Sequence, residues 1–416
     1  MHSFLPLEEL RSVLESRSFD RPPAIVCNAH ITGLSVARAL GAKDVPVVAL
    51  DRTGDGVAPR SNAIVAAGEV TFPLDDPEGF RADVEQIADA LDHEPVIFPC
   101  MDEWVHAVSE TEPAGVRRPF AEREAVEAVL DKESLYARAE ELGIPYPETY
   151  RLAEVDPDEA AAELGFPLVV KPARKREFEE LLGTNVLEVS DREEYHDLLD
   201  RAAEAGVRVM AQEKVPVAVG EDRSVASYVP PEGDPLAIVG NARVRYPRGY
   251  GTSCVVDRVV DPELEARALG LLEESGYYGI SEAEFVYDAE REEYVLLDVN
   301  TRPWKWISMP VEAGANLPYA AYADAVGLEY EPEYPGRSTD EVAETRWVYL
   351  RDYLAGLAEN PTATDVLTRS EWEALLSGDF ESARGLTTGV YRPSDPGPTV
   401  QLLETEFGGQ EYYCSC

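Results

Sequence analysis

The chain has 416 residues, too many for one compact core, and its 44% apolar content is enough to fill two or three domains of ordinary size. Eighty Asp and Glu against 37 Lys and Arg give a formal charge of -43, which repels phosphate backbones and anionic lipid and argues against nucleic acid and membrane partners. The acids are spread through every part of the chain, as expected for a protein of halophilic, haloarchaeal-type composition, in which molar salt shortens the Debye length to about 3 Å and makes the self-repulsion tolerable.

The first 20 residues lack the basic start and apolar core of a signal peptide, and no stretch approaches the ~20 apolar residues of a membrane span, so a cytoplasmic location is expected. Apolar spacing over residues 5–18 predicts a leading helix before Pro22-Pro23. Residues 24–28, 33–40 and 46–50 read as strand, helix and strand, a β-α-β unit that implies a parallel sheet. Asp51 closes the second strand about 20 residues after the turn, as in dinucleotide folds. The turn Asn28-Ala29-His30-Ile31-Thr32-Gly33 lacks the spaced glycines that bring backbone to a pyrophosphate, which argues against that cofactor. A further strand, 95–99, leads into Met101-Asp102-Glu103-Trp104 at a strand end where ligands of open α/β sheets bind. His30 and His106 are read as structural.

Residues 122–142 read as one helix containing Asp131-Lys132 and ending at Gly143, before Ile144-Pro145-Tyr146-Pro147. Residues 166–172 form a buried strand ending on Lys171-Pro172, and 209–216 a second ending on Glu213-Lys214-Val215-Pro216. Between them lie a charged segment, 174–180, and a helix over 191–205. Arg243 and Arg245, alternate residues of a predicted strand, would share a face as partners for anions, with a solvated strand face as the competing reading. Residues 283–287 and 294–300 form a hairpin across a polar turn, and the acidic, proline-rich 329–340 marks a boundary.

Lysine occurs only at 43, 132, 171, 175, 214 and 305, so in a chain otherwise served by arginine each survivor is a candidate for a specific task such as phosphate binding. The five cysteines (Cys27, Cys100, Cys254, Cys414, Cys416) are odd in number and scattered, which is no disulfide framework, and Cys414-Ser-Cys416 falls short of a metal site.

The hairpin carries the most informative constellation. Strand alternation puts Asp298 and Asn300 on one face, with Leu297 and Val299 on the other, toward the core. A turn centred between Glu290 and Arg291 sets Glu284 opposite position 297, next to Asp298. Two carboxylates and an amide oxygen without histidine or thiolate suit magnesium, or manganese, whose shell phosphate oxygens would complete.

Taken in order, Asp131-Lys132 with Gly143-Ile144-Pro145, Val169-Val170-Lys171-Pro172, Gln212-Glu213-Lys214-Val215-Pro216, Glu284-Phe285 and Asp298-Val299-Asn300-Thr301-Arg302-Pro303 resemble the ordered motifs of the ATP-grasp superfamily. Arg302-Pro303-Trp304 with Gly314-Ala315-Asn316-Leu317-Pro318-Tyr319 is similar to the group related to D-aspartate ligase and carbamoyl phosphate synthase-like ligases. The resemblance implies an α/β protein: a leading helix (1–22), a Rossmann-like pre-ATP-grasp domain (23–125), an α+β ATP-grasp domain (126–330, its lid about 145–212) and a C-terminal segment (331–416). It further implies that Lys132, Lys171 and Lys175 hold ATP phosphates, that Glu213, Lys214 and Val215 meet adenine, with Glu221 or Asp222 at the ribose, and that Glu284, Asp298 and Asn300 bind Mg²⁺. Arg302 and Lys171, joined by Arg243, would serve the transferred phosphoryl group or a substrate carboxylate.

The expected reaction is ADP-forming ligation of a small-molecule carboxylate to an amine through an acyl phosphate, in a chain for which a homodimer is compatible. The alternatives are a carboxylase-like enzyme using bicarbonate, although no biotin-accepting segment is visible, or a nucleotide-binding regulatory protein of weak turnover. Two features depart from the pattern. The flap, Ala173-Arg174-Lys175-Arg176-Glu177-Phe178, is cationic, with Gly183 the only glycine before the helix predicted over 191–205, and the second metal position is Asp298 where Glu is commoner.

Overall fold

A computed structural model of the chain describes residues 4–172, 186–249, 251–332, 344–359, 366–383 and 385–408. Lys175, the predicted flap, Gly183, most of the 329–340 boundary and Cys414-Ser-Cys416 lie outside these residues.

The first unit is a four-stranded parallel sheet in the order β3-β2-β1-β4, built from β1 (Ala24–Cys27), β2 (Val47–Asp51), β3 (Ile64–Glu69) and β4 (Val96–Pro99). Every residue of β1, β2 and β4 is buried, as expected for strands covered on both faces. The leading helix α1 (Leu7–Glu15) packs Leu10 onto Gly68, where an added Cβ would come within 2.5 Å of the Leu10 side chain. The helix predicted at 33–40 is α2 (Ile31–Gly41). α3 (Pro77–Asp89) crosses between β3 and β4, and β4 leads into α4 (Asp102–Thr111).

The single helix expected over 122–142 is two, α5 (Arg123–Leu130) and α6 (Lys132–Leu142). Asp131 is the reason. Its backbone is extended, and its carboxylate accepts the Ser134 N–H at 3.1 Å, capping α6 and placing Lys132 at the first helical position.

A second, antiparallel sheet has the order β5-β8-β6-β7: β5 (Thr149–Arg151), β6 (Leu168–Pro172), β7 (Leu187–Val189) and β8 (Val209–Glu213). One face packs Leu168, Val170 and Ala211 against α7 (Pro157–Leu164) and α8 (Arg192–Glu204), through Ala160, Tyr195 and Leu198. Lys171 alternates with Val170 and therefore belongs to the face turned from these helices.

The third sheet has seven strands in the order β13-β12-β9-β10-β11-β14-β15. Its members are β9 (Asp222–Val229), β10 (Leu236–Tyr246), β11 (Thr252–Val259), β12 (Gly279–Asp288), β13 (Glu293–Asn300), β14 (Arg346–Val348) and β15 (Leu386–Thr388). β14 and β15, both beyond residue 331, thus belong to the same sheet. One face packs Val225, Ala283, Phe285, Leu296 and Val299 under α9 (Pro262–Glu274), and the other packs Ala226, Ile238 and Ile280 with Trp304 and Trp306. The remaining described helices are α10 (Ser308–Glu312), α11 (Leu317–Val326), α12 (Leu350–Glu359), α13 (Arg369–Ser377) and α14 (Gly397–Phe407). Among the described residues no helix is long and apolar enough to cross a membrane, and Cys27, Cys100 and Cys254 are buried free thiols.

Candidate active site

The hairpin of β12 and β13 is present, but its register shifts by one between Glu284 and Phe285. Phe285 pairs with Leu296 while Glu284 pairs with Asp298, leaving Leu297 as the extra residue of a bulge. Leu297, expected in the core, is only partly buried, and Leu296 takes the core position beside Val299. The bulge has a chemical consequence, because it sets Glu284 squarely opposite Asp298 and Glu282 opposite Asn300.

Four polar side chains therefore line one face of the hairpin. The Asn300 amide nitrogen donates to Glu284 Oε1 at 2.8 Å and to Glu282 Oε2 at 3.0 Å, while Asn300 Oδ1 accepts from Arg302 Nη2 at 3.2 Å. Asp298 Oδ1 accepts from Lys132 Nζ at 2.7 Å. Arg302 Nε donates to Asp102 Oδ1 at 2.6 Å, which joins the start of α4 to the hairpin across 200 residues of sequence. Arg245 Nε donates to Asp222 Oδ2 at 2.7 Å and its Nη2 lies 3.8 Å from Glu284 Oε2. Trp306 closes the same face over Gly240, where an added Cβ would meet its ring at 2.8 Å.

Glu282, Glu284, Asp298, Asp222 and Asp102 bring five carboxylates against three cations, Lys132, Arg245 and Arg302. The excess shows in Glu282, only 4% exposed, whose proton affinity is pushed up to about 8 by burial and then by the neighbouring Glu284 charge. Burial works against the charge of Arg302, but Asp102 and then Glu282 outweigh it and hold the guanidinium above its ordinary range. A partly buried oxygen-donor set with surplus negative charge fits a hard divalent cation in kind. Among the described residues no three His, Cys, Asp or Glu side chains are grouped closely enough to hold a metal, and Lys132 occupies Asp298.

Sequence reasoning named Glu284, Asp298, Asn300, Arg302 and Lys132, and the structure brings these five together. It missed Glu282, although Glu282 and Glu284 are alternate residues of one strand and so share a face, which was the available signal. Arg243 goes elsewhere. Register shifts on both sides of Val244 break the alternation, leaving Arg243 exposed, with its Nε 3.9 Å from Asp257, while Arg245 alone turns to Glu284.

The residues expected at adenine form a separate cluster at the end of β8. Glu213 accepts two N–H bonds from Arg291, at 2.6 and 2.8 Å, and the Glu148 N–H at 2.7 Å, so its carboxylate ties the second sheet to the hairpin turn. Lys214 Nζ donates to Glu188 Oε1 at 2.6 Å, the Val215 carbonyl accepts the Val217 N–H at 2.9 Å, and Glu221 is exposed just before β9. Lys171 sits on β6. A cavity of about 320 Å³ beside Arg291, Glu140 and Tyr146 is lined by none of the hairpin carboxylates except Glu293 at its outer end.

Asp51 explains the first turn. Its buried carboxylate accepts the Ala29 N–H at 2.7 Å and the Arg52 N–H at 2.7 Å, and lies 3.7 Å from His30. It is engaged by the turn itself, and at Gly33 an added Cβ would strike the Asn28 carbonyl at 2.1 Å. His106 lies between Glu110 and Glu127, at 3.9 and 3.8 Å.

No protein-family model matches the chain, and no curated protein matches it in sequence. Solved structures do match it in shape. A pyruvate carboxylase of Rhizobium etli with the activator acetyl coenzyme A superposes with a TM-score of 0.61 at 16% identity over 78% of this chain, which spans only 31% of that longer one. N5-carboxyaminoimidazole synthetase of Staphylococcus aureus gives 0.60 at 13% identity, covering 82% of this chain and 86% of its own. The biotin carboxylase domain of Hydrogenobacter thermophilus 2-oxoglutarate carboxylase, in complex with ADP, its magnesium salt and bicarbonate, gives 0.59 at 15% identity, covering 78% and 73%. With the parallel sheet followed by the paired antiparallel and seven-stranded sheets, this likeness shows that the chain has an α/β ATP-grasp fold.

Proposed function

We propose that the protein is an ADP-forming ligase that activates a small carboxylate with ATP and joins it to an amine. One observation carries the reading: the partly buried face on which Glu282, Glu284, Asp298 and Asn300 meet Lys132, Arg245 and Arg302. Surplus carboxylate beside fixed cations suits a centre that handles a polyphosphate together with a divalent ion.

In this mechanism Lys132 and Lys171 bind nucleotide phosphates, and the backbone of Glu213, Lys214 and Val215 borders the base, with Glu221 or Asp222 at the ribose and Lys175 completing the phosphate contacts. A magnesium ion held by Glu284, Asp298 and Asn300 would supply positive charge beside the phosphate oxygens. Arg302, aimed by Asp102, orients the acid by a paired contact to its carboxylate. A carboxylate oxygen of the acid attacks the γ-phosphorus, the bond to ADP breaks, and an acyl phosphate results. The amine then attacks the acyl carbon, phosphate departs with the former bridging oxygen, and the amine proton passes to solvent. The chain's part is to align the reactants, offset charge and exclude water.

A bicarbonate-using, carboxylase-like reaction is the second reading. It is favoured by the carboxylases and the carboxyaminoimidazole synthetase among the structural neighbours. The same assay separates the two. Purified protein in molar KCl with ATP and Mg²⁺ is given a panel of amino acids and small carboxylates, with bicarbonate as one member, and ADP release is followed with and without hydroxylamine. The ligase reading expects ADP only with the right acid and a hydroxamate of that acid when hydroxylamine is present. Stimulation by bicarbonate alone turns the assignment to a carboxylase. AMP with pyrophosphate overturns both readings, and ATP binding without ADP across the panel points to a regulatory protein.

A further inference from the structure

Lys132 and Asp298 have separate expected tasks, one toward phosphate and one toward metal, yet each is the other's partner in the structure. Lys132 Nζ donates to Asp298 Oδ1 at 2.7 Å, with side chains only 7% and 13% exposed. The contact is built from both sides. Asp131, which caps α6, is also gripped by Arg208 Nη2 at 3.0 Å, so the first turn bearing Lys132 is anchored. Tyr136, four residues along α6 and so on the same helix face, donates its hydroxyl to the Leu297 carbonyl at 2.8 Å. Helix α6 therefore holds β13 at two successive points, the bulge residue and the carboxylate that follows it.

Resting on the ligase reading above, we propose that Lys132 is a positioning residue that holds Asp298 until nucleotide phosphate draws the ammonium away, so that a divalent cation binds tightly only in company with the nucleotide. The reason is electrostatic. An ammonium at hydrogen-bond distance from a mostly buried carboxylate repels a second, doubly charged cation approaching the same group, and little solvent is there to screen it. Phosphate oxygens change the balance by offering Lys132 a more highly charged partner, which removes the ammonium's repulsion from a cation approaching Asp298. The exchange breaks no covalent bond and needs only a side-chain movement at the head of α6.

The test uses the full chain in molar KCl, with Mn²⁺ as a paramagnetic probe and the β,γ-imido analogue of ATP as nucleotide. Lys132→Met should raise the affinity for Mn²⁺ without nucleotide at least tenfold while lowering affinity for the nucleotide at least tenfold, opposite signs that a general loss of structure would not produce. Lys132→Arg, which keeps the charge, should stay within a few-fold of the parent in both. If Lys132→Met does not fold, Tyr136→Phe, which releases the hydroxyl's contacts to the Leu297 carbonyl and the Gln212 amide, should move nucleotide-free Mn²⁺ affinity in the same direction by a smaller factor. Unchanged or weaker nucleotide-free Mn²⁺ binding in the folded variant overturns the inference and leaves the ligase reading standing. A parent protein that binds no nucleotide overturns the ligase reading instead.

Discussion

Replacing Glu282 with Gln tests whether the hairpin face carries uncompensated negative charge. The substitution keeps an oxygen that can accept from the Asn300 amide and removes only the titrating proton. The folded protein raises the proton affinity of Glu282 from the ordinary 4.5 to about 8, by burial and by Glu284. At about 1.4 kcal/mol for each tenfold change in proton affinity, that is a ceiling of roughly 5 kcal/mol. The sign follows from the direction. A carboxyl whose proton is held more tightly in the folded state contributes stability that is fully present below about pH 4.5 and is lost as pH rises through about 8. Glutamine loses nothing over that range. The melting temperatures of the Glu282→Gln variant and the parent, measured in molar KCl with EDTA, should nearly coincide at pH 5 and diverge by pH 9, with the variant higher. A difference that is the same at both pH values, or a variant that melts lower at pH 9, refutes the reasoning.

Two further outcomes follow from charges elsewhere. Removing Asp102 by an alanine substitution leaves Arg302 buried without its Nε partner, so stability should fall by about 3–5 kcal/mol in denaturant titrations, and acid-dependent ADP formation should fall with it; Asp102→Asn, which can still accept the Nε–H, should lose less of both. The formal charge of -43 predicts a melting temperature that rises steeply as KCl goes from tens of millimolar to molar, and a flat profile would argue against adaptation to high salt.

Local pattern made much of this molecule readable. Continuous apolar runs bounded by Pro, Asn and Asp marked β1, β2 and β4, because a strand buried on both faces has little freedom of composition. The hairpin was legible from alternation around a polar turn, and with it Glu284, Asp298 and Asn300. Where the reading went astray, a single residue interrupts a period. Asp131 turns one helix into two by accepting an N–H of the second, Leu297 shifts a register by one, and the irregularity around Val244 sends Arg243 and Arg245 to different partners. Bulges leave almost no mark in composition, since the extra residue is stabilised by its neighbours in space.

The sequence by itself determined the class of the fold, the absence of a glycine-rich dinucleotide turn and the oxygen-donor character of the hairpin, since each depends on residue types a few positions apart. Only the tertiary structure decided which charges meet. Asp102 reaches Arg302 from the helix that follows the parallel sheet, Lys132 takes Asp298 across 166 positions, Arg291 takes Glu213 across 78, and Glu282 becomes a reluctant acid because the surrounding core denies it solvent and Glu284 adds its charge. Coulomb interactions and desolvation depend on distance and burial, and both are set by how the sheets pack.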